Sequence, residues 1–408
     1  MESGPQVREG SVGIQKRLLV LGAGPAQLGL LRAARERGLF VIACDRDPGA
    51  VGFAYADRRA VVSAEDERAL SQLARAERVN GLVAPGIDWP VAIAARIAAH
   101  LGLPHPLAPA TAALAVSKQR QRERFAAAGV PQPRWRPAVQ AAADVPLPAV
   151  VKPADRQGQS GLTLVRERAG LADAVELAVS ESRAGIAIVE EYVDGPELTV
   201  NAFSVAGRFH PLTVTDRLTA DPPAFGVALA HAWPSAHAAD AAADVARRAA
   251  EALGIADGPS YTQVRLAADG VRVIELAARL GGGHDAELCR IALGIDLNGL
   301  AVAAALGEPV AVLDPRPRGG ACVRFLVPPP GTLRDVEGLD DALAVDGVRD
   351  ARVYRGPGWT FGPFRRGADR AGFVLAEGTS RDDALERAGR AIERIRFHTA
   401  DVEAPIQA

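Results

Sequence analysis

At 408 residues the chain can hold two to four domains with substantial cores, since domains run at roughly 100–200 residues each. Its 48% hydrophobic and 24% charged residues, with a formal net charge of -2, describe an ordinary globular protein and exclude the basic surface of a nucleic-acid or anionic-membrane ligand. Cys44, Cys289 and Cys322 form no C-x-x-C pair, and no stretch approaches ~20 uninterrupted apolar residues, so the expectation is a cytoplasmic protein without a zinc or redox centre, secretion or membrane insertion.

Residues 1–16 carry charges throughout and read as a disordered leader. Leu18 to Leu21 is a short apolar run that ends in glycines and is followed by a helical pattern from Ala26 to Arg37. Strands at Phe40 to Cys44 and Gly81 to Ala84 then alternate with helices at Leu70 to Arg78 and Val91 to His100. This alternation predicts a doubly wound parallel sheet over 17–107. A helix is expected from Thr111 to Ala128, ending at Gly129. Strands at Ala149 to Lys152, Leu162 to Val165 and Ala187 to Glu190, with one helix from Leu171 to Ser182, predict an α+β unit with antiparallel sheet. A helix from Ala239 to Leu253 leads to the hairpin Tyr261 to Leu266 and Val271 to Leu276, turned at Asp269-Gly270. Beyond Pro315 a last α+β unit is expected, with strands at Ala321 to Val327, Val353 to Arg355 and Gly372 to Ala376 and a closing helix from Arg381 to Arg396.

Gly22-Ala-Gly24-Pro-Ala-Gln-Leu-Gly29, with Asp45 about twenty residues on, invites a nicotinamide-dinucleotide reading. The spacing is wrong, because the third glycine of the fingerprint belongs at Gln27, and Pro25 removes an N–H that a pyrophosphate would use. A different set of residues carries nucleotide chemistry. Lys152 ends a strand and is followed by Gln157-Gly158-Gln159-Ser160-Gly161, a small-residue loop whose backbone N–H groups can cradle phosphates. Glu190-Glu191-Tyr192-Val193 runs from a strand into a linker whose backbone can pair with an adenine edge, and Glu197 can accept from ribose hydroxyls. Glu275 lies in an apolar strand and needs a cation or an arginine beside it, which makes it the best Mg²⁺ ligand in the chain, with an internal pair to Arg279 as the alternative. His231 and the His284-Asp285 pair are candidates for substrate orientation or proton handling. His231 reads equally as a packed histidine and Asp285 as a helix cap.

In this order the pieces resemble the ATP-grasp superfamily of ligases over about 17–400. The resemblance also takes in Lys118 with Phe125, Gly129-Val130-Pro131 and the strand from Glu275 to Arg279. It implies a pre-ATP-grasp domain at 17–107, an ATP-grasp domain at 108–315 and a C-terminal cap at 316–408. Gly320 to Leu326, Pro330-Gly331 and Asp346-Gly347-Val348 make that cap similar to the L-amino-acid ligases. The resemblance further implies that Lys118 and Lys152 hold the α- and β-phosphates. Glu190, Glu191, Tyr192 and Val193 would frame the adenine, Glu197 would meet the ribose, and Gln157, Gly158, Ser160 and Gly161 would close over the γ-phosphate. Arg279 would stabilise an acyl phosphate, with Glu275 and Gln263 at the metal. Gln263 stands where a second acidic ligand is usual, and Ala277 where asparagine is common. The activity implied is an ATP- and Mg²⁺-dependent (Mn²⁺ can substitute) joining of a small-molecule carboxylate to an amine, in a chain compatible with a homodimer. A bicarbonate-using carboxylase of purine-intermediate type, a catalytically degraded ATP-binding regulatory module and a nicotinamide oxidoreductase are the competing readings.

Overall fold

A computed structural model describes residues 15–140, 145–310 and 313–400; residues 1–14 of the expected leader lie outside that set. The N-terminal unit is built from β1 (Arg17–Leu21), α1 (Leu28–Glu36), β2 (Phe40–Asp45), β3 (Arg58–Val61), α2 (Glu67–Ala76), β4 (Gly81–Val83) and α3 (Trp89–Leu101). Its sheet is parallel in the order β3-β2-β1-β4. Alternate residues of β1 enter two different cores, Leu19 and Leu21 on one face and Leu18 and Val20 on the other. A strand covered on both faces has to be apolar throughout, which explains the run Leu18 to Leu21. In the glycine turn after β1 the Gln27 amide lies against Gly22 and donates to Pro85 O at 2.6 Å, while the Asp45 carboxylate accepts from Ala23 N at 2.9 Å.

The expected helix from Thr111 to Ala128 is two helices, α4 (Pro109–Ala115) and α5 (Lys118–Ala127). Ser117 adopts an extended conformation and its side chain caps Arg120 N, so the chain restarts at Lys118, whose own N–H donates to Ala154 O at 2.7 Å. The break therefore brings Lys118 beside the strand that carries Lys152. That strand is in a small antiparallel sheet of β5 (Trp135–Pro137), β6 (Ala149–Pro153), β7 (Thr163–Val165) and β8 (Ala187–Glu191), ordered β5-β8-β6-β7 and backed by α6 (Leu171–Glu181).

A second, eight-stranded sheet begins with β9 (Glu197–Val205), β10 (Arg208–Thr219) and β11 (Ala228–Trp233). After α7 (Ala239–Leu253) it continues with β12 (Gly258–Ala267) and β13 (Gly270–Ala277). Then come α8 (Asp285–Leu293), α9 (Leu297–Ala305), β14 (Gly320–Leu326), β15 (Gly331–Glu337), α10 (Leu339–Leu343) and β16 (Val348–Val353). The chain closes with β17 (Thr360–Phe361), β18 (Gly372–Gly378), α11 (Arg381–Arg394) and β19 (Arg396–Ala400). The order β13-β12-β9-β10-β11-β14-β18-β16 carries this sheet across residue 316, because Ala230 to Trp233 pair with Arg324 to Ala321. β16 starts and ends earlier than the strand expected at Val353 to Arg355, so Tyr354 is already leaving the sheet.

Along β9 the residues alternate strictly. Leu198 and Val200 pack with α7 through Ala246, Ala249 and Leu253, whereas Glu197, Thr199 and Asn201 face the other way. The exposed edge at β13 is covered by α5: the Gln121 amide exchanges hydrogen bonds with Leu276 N and O, and Arg122 donates to Val273 O and Ile274 O. Gly195, in the linker between the two sheets, has φ 129°, and a Cβ there would meet Leu266 O at 2.0 Å, so only glycine lets the linker pass. The three cysteines are buried and free, with thiols pushed up by burial to about 11 for Cys44 and about 12 for Cys289 and Cys322.

Candidate active site

The face of the large sheet turned away from α7 is polar although it is covered. Register places Gln263 opposite Thr199 and Thr199 opposite Thr215, Tyr261 opposite Asn201, and Arg217 opposite His231. Thr199, Thr213 and Thr215 have no exposed surface, and Thr215 Oγ1, Arg217 Nε and His231 Nδ1 are buried without a hydrogen-bond partner. Buried polar atoms are almost always hydrogen-bonded, so orphans gathered on one face are free to bond water or a polar ligand.

Two ion clusters flank this floor. The Glu190 carboxylate is held by Arg122 Nε at 2.6 Å and by Lys152 Nζ at 2.7 Å, and all three side chains are at most 5% exposed. Burial opposes ionisation of Glu190, yet the two cations outweigh it and hold the group at about 2, while burial lowers the pKa of Lys152. The Glu190 side chain thus meets Arg122 and Lys152, while its backbone stays with the linker. Glu275 pairs with Lys118 at 2.8 Å, not with Arg279, whose Nε donates to Asp88 Oδ1 at 2.6 Å. Lys118 also donates to Arg156 O. Burial works against the Glu275 carboxylate, but Lys118 and Lys152 bring its pKa below the usual range. Glu275 and Gln263 are cross-strand partners on β13 and β12, and Gln263 Nε2 reaches Tyr261 Oη at 3.4 Å. Among the described residues no group of three or more His, Cys, Asp or Glu gathers as a self-sufficient metal cage. One carboxylate and a neighbouring amide suit a hard cation that takes its other ligands from phosphate oxygens.

The linker groups are already engaged. Glu191 accepts from Arg134 N at 2.9 Å and Nε at 2.6 Å, Arg265 donates to Tyr192 Oη at 3.1 Å and Val193 O at 3.2 Å, and Glu197 is clasped by Arg217 at 2.6 Å and Arg265 at 3.0 Å. Lys152, Glu190 to Val193, Glu197, Phe225 and Ile274 line a narrow cleft between the two sheets. A larger cavity of about 450 Å³ adjoins it, lined by Arg279, His231, Tyr261 and the loop from Gln157 to Ser160. That loop bridges the N-terminal unit and the C-terminal segment: Asp88 N donates to Gln157 Oε1 at 3.1 Å and Gly367 N donates to Gly158 O at 3.4 Å. Gly161 follows with φ 67°, packed on Pro153 and Glu181.

The two histidines part company. His231 lines the cavity, 3.7 Å from Asp285 and edge-on to Phe325. His284 does not: it stacks on Phe373 at 3.6 Å and bonds Tyr354 Oη at 2.6 Å through Nε2, so it supports a cavity residue from behind. Asp285 opens α8 and accepts from Gly283 N at 3.1 Å and Asn201 Nδ2 at 3.3 Å. Burial lowers His231 to about 4 and His284 to about 3, against the opposing pull of Asp285. Both are therefore neutral when folded and bind protons more readily when unfolded, so the stability they contribute is complete above about pH 6.5 and is lost as pH falls toward 4 and 3. The melting temperature should fall from pH 7 to 5, and His284→Asn, a residue that tolerates the φ of 59° at this position, should flatten that dependence. Equal slopes for the two proteins would remove His284 from the account.

Several site residues escaped the sequence reading. Arg122 looked like one charge among many in α5, yet Lys118, Gln121, Arg122 and Phe125 are the buried positions of that helix at i, i+3, i+4 and i+7. Thr213, Thr215 and Arg217 alternate as Glu197, Thr199 and Asn201 do, a period-two polar stripe that could have been found. Tyr354 and Arg370 carry no local signal.

Residues 145–287 match the ATP-grasp domain family and 324–400 the L-amino acid ligase C-terminal domain 2 family. A formate-dependent phosphoribosylglycinamide formyltransferase from Burkholderia vietnamiensis is 31% identical over 407 residues, covering 93% of this chain and 95% of its own. In fold, the chain is similar to an L-amino acid ligase from Bacillus licheniformis (TM-score 0.82, 21% identity, 95% of this chain and 99% of that one). It is also similar to an N5-carboxyaminoimidazole ribonucleotide synthetase from Thermotoga maritima (TM-score 0.73, 19% identity, 95% and 100%).

Proposed function

We propose, because this chain belongs to the ATP-grasp family of ADP-forming ligases, that it joins a small-molecule carboxylate to an amine through an acyl phosphate, releasing ADP and phosphate. The observation that carries this reading is the junction of the two cavities, since Gln159, Arg217 and Gln263 line both. A nucleotide in the cleft and an acid in the larger cavity would meet there.

Lys118 and Lys152 would hold the phosphates, exchanging part of their bonding to Glu275 and Glu190 for phosphate oxygens. The backbone of Glu190, with Glu191, Tyr192 and Val193, would frame the adenine and Glu197 would accept from the ribose. Glu275, with the Gln263 side-chain oxygen, would hold Mg²⁺ or Mn²⁺. When bound, that cation supplies charge neutralisation at the phosphate oxygens. The substrate carboxylate attacks the γ-phosphorus and ADP departs; an amine then attacks the acyl carbon, gives up a proton, and phosphate leaves. Arg279, oriented by Asp88, would offset the charge on the phosphoryl group in transit. The loop of Gln157, Gly158, Ser160 and Gly161 would keep water from the acyl phosphate, an action its contacts with Asp88 and Gly367 support. His231, at about 4, is too weak a base to collect the amine's proton at neutral pH, which supports a role in orienting substrate.

The test is Mg²⁺-dependent ADP formation over pairs of amino acids and other acids. The formate dependence of the Burkholderia relative adds formate to the panel, and bicarbonate tests the carboxylase alternative. Arg279→Ala should reduce ADP formation on the order of a hundredfold while Mg-ADP affinity changes little. Binding of NADH without any response to Mg-ADP would overturn the nucleotide assignment.

A further inference from the structure

The unit built on the small sheet has an apolar core of its own. Among the described residues, every side chain in that core comes from 138–189, while the buried cluster of Arg122, Lys152 and Glu190 fastens the unit to α5. Toward the N-terminal unit it holds by Gln157 and by Arg183, which follows α6. A body with a separate core and polar attachments opens locally while the rest of the chain stays folded.

Arg183 lies outside the linings of both cavities, yet its side chain is only 16% exposed. Its Nε donates to Glu65 Oε2 at 3.2 Å and its Nη2 to Glu65 Oε1, a two-pronged pair with the turn between β3 and α2. The guanidinium also lies over the Trp89 ring, 5.1 Å from the centroid, and Nη1 donates to Asp155 O at 2.7 Å. The backbone that carries Arg183 is fixed in turn. Asp155, a buried carboxylate, accepts from Ser182 Oγ at 2.9 Å, from Arg183 N at 3.1 Å and from Ala184 N at 2.9 Å. Asp155 stands two residues before Gln157, so the base of Arg183 and the root of the phosphate loop move as one piece.

The contacts of Arg183 and Gln157 converge on the first turn of α3. Trp89 opens that helix, and Asp88 before it makes no side-chain cap, because its carboxylate is turned to Arg279 Nε at 2.6 Å. The Asp88 N–H is the group that Gln157 Oε1 holds at 3.1 Å. One residue thus faces the loop with its backbone and Arg279 with its side chain.

We propose that Arg183 is a positioning residue for Arg279. By pinning the small-sheet unit to Glu65 and Trp89 it keeps Gln157 on Asp88, and Asp88 keeps the guanidinium where the phosphoryl group passes. Closing of the loop and orientation of Arg279 are then a single event, and the same joint slows the departure of nucleotide from beneath the loop. The proposal rests on the reading of the cleft as the nucleotide's site and of Arg279 as the arginine facing the phosphoryl group.

The experiment compares the full chain with Arg183→Met, Arg183→Lys and Glu65→Gln. Release of Mg-mant-ADP, followed in a stopped-flow chase with unlabelled Mg-ADP, should be about fivefold faster in Arg183→Met and in Glu65→Gln, and Arg183→Lys should recover part of the difference. Raising NaCl from about 0.05 to about 0.5 M should speed release from the parent and leave Arg183→Met nearly unchanged, since Glu65 is exposed to screening. Hydrogen exchange is the second readout, taken with and without Mg-AMP-PNP. The amides of 85–92 and the Arg279 Nε–H, identified by its loss in Arg279→Lys, should both exchange about fivefold faster in Arg183→Met. Glu65→Gln, which leaves the small-sheet unit untouched, guards against misfolding around Arg183. Release within about twofold of the parent in both Arg183→Met and Glu65→Gln, or unchanged exchange at either place, would overturn the proposal. Failure of Mg-mant-ADP to bind the unmodified protein would instead sink the ligase reading, and exchange without nucleotide would still decide whether Arg183 holds Asp88 and Arg279 in place.

Discussion

Glu275→Gln is expected to lower Mg²⁺-dependent ADP formation on the order of a hundredfold or more, with little change in the melting temperature of the nucleotide-free protein. The reasoning starts from geometry. Glu275 is the carboxylate on the β12–β13 hairpin that faces Gln263, and its charge is maintained in a buried place by Lys118 and Lys152. Glutamine keeps the shape and its side-chain oxygen can still accept from Lys118, so the hairpin and α5 stay joined. What disappears is the one negative charge at the position proposed for the cation. The measurement is ADP formation against Mg²⁺ concentration for both proteins. Unchanged turnover and metal dependence would make Glu275 only the counterion of Lys118.

The largest effect on stability is expected at Glu190. Glu190→Ala leaves Lys152 and Arg122 buried with no carboxylate between them, and breaking a buried ion cluster from one side costs about 3–5 kcal/mol. Lys152→Met should cost less, because Glu190 would keep its bond to Arg122 and the methionine would fill much of the lysine's volume. Urea denaturation of the three proteins checks the order. A Glu190→Ala midpoint equal to that of the parent would mean that water reaches the cluster and the three charges are solvated.

How much of this could be read beforehand depended on periodicity. The apolar runs of β1 and β2, the hairpin at Asp269-Gly270 and helix α7 announce themselves because burial of one or both faces leaves a pattern with a fixed period. β9 and β10 hid in plain view: their polar residues alternate as regularly as their apolar ones, but they face the cavities, where hydrophobicity carries no signal. Helix α5 was misjudged at one point, Ser117, whose cap interrupts what looked like a single helix. The site residues Lys118, Lys152 and Glu275 were legible as unusual charges. Their pairing was not, because whether Glu275 meets Lys118 or Arg279 is decided by how α5 and α3 pack on the sheet, separated from it by more than a hundred residues of chain. Arg370 was invisible for the same reason, since only the assembled fold buries its Nε without a hydrogen-bond partner.

The hydrogen-bonded junction of β11 with β14 bears on how this protein could be recombined with its relatives. The segment from about 133 to 195 leaves and re-enters the rest of the chain at one place and carries its own small sheet, so it is a natural unit to exchange in a chimera. The segment beyond 316 is not. Replacing it means replacing three strands of a sheet whose other five build the floor of the site, and a mismatch of one residue between Ala230 to Trp233 and their partners would turn the donor's inward side chains outward. Crossovers placed in the linker at Gly195 should therefore yield folded hybrids far more often than crossovers placed at 316, and a library screened for soluble protein would show that asymmetry directly.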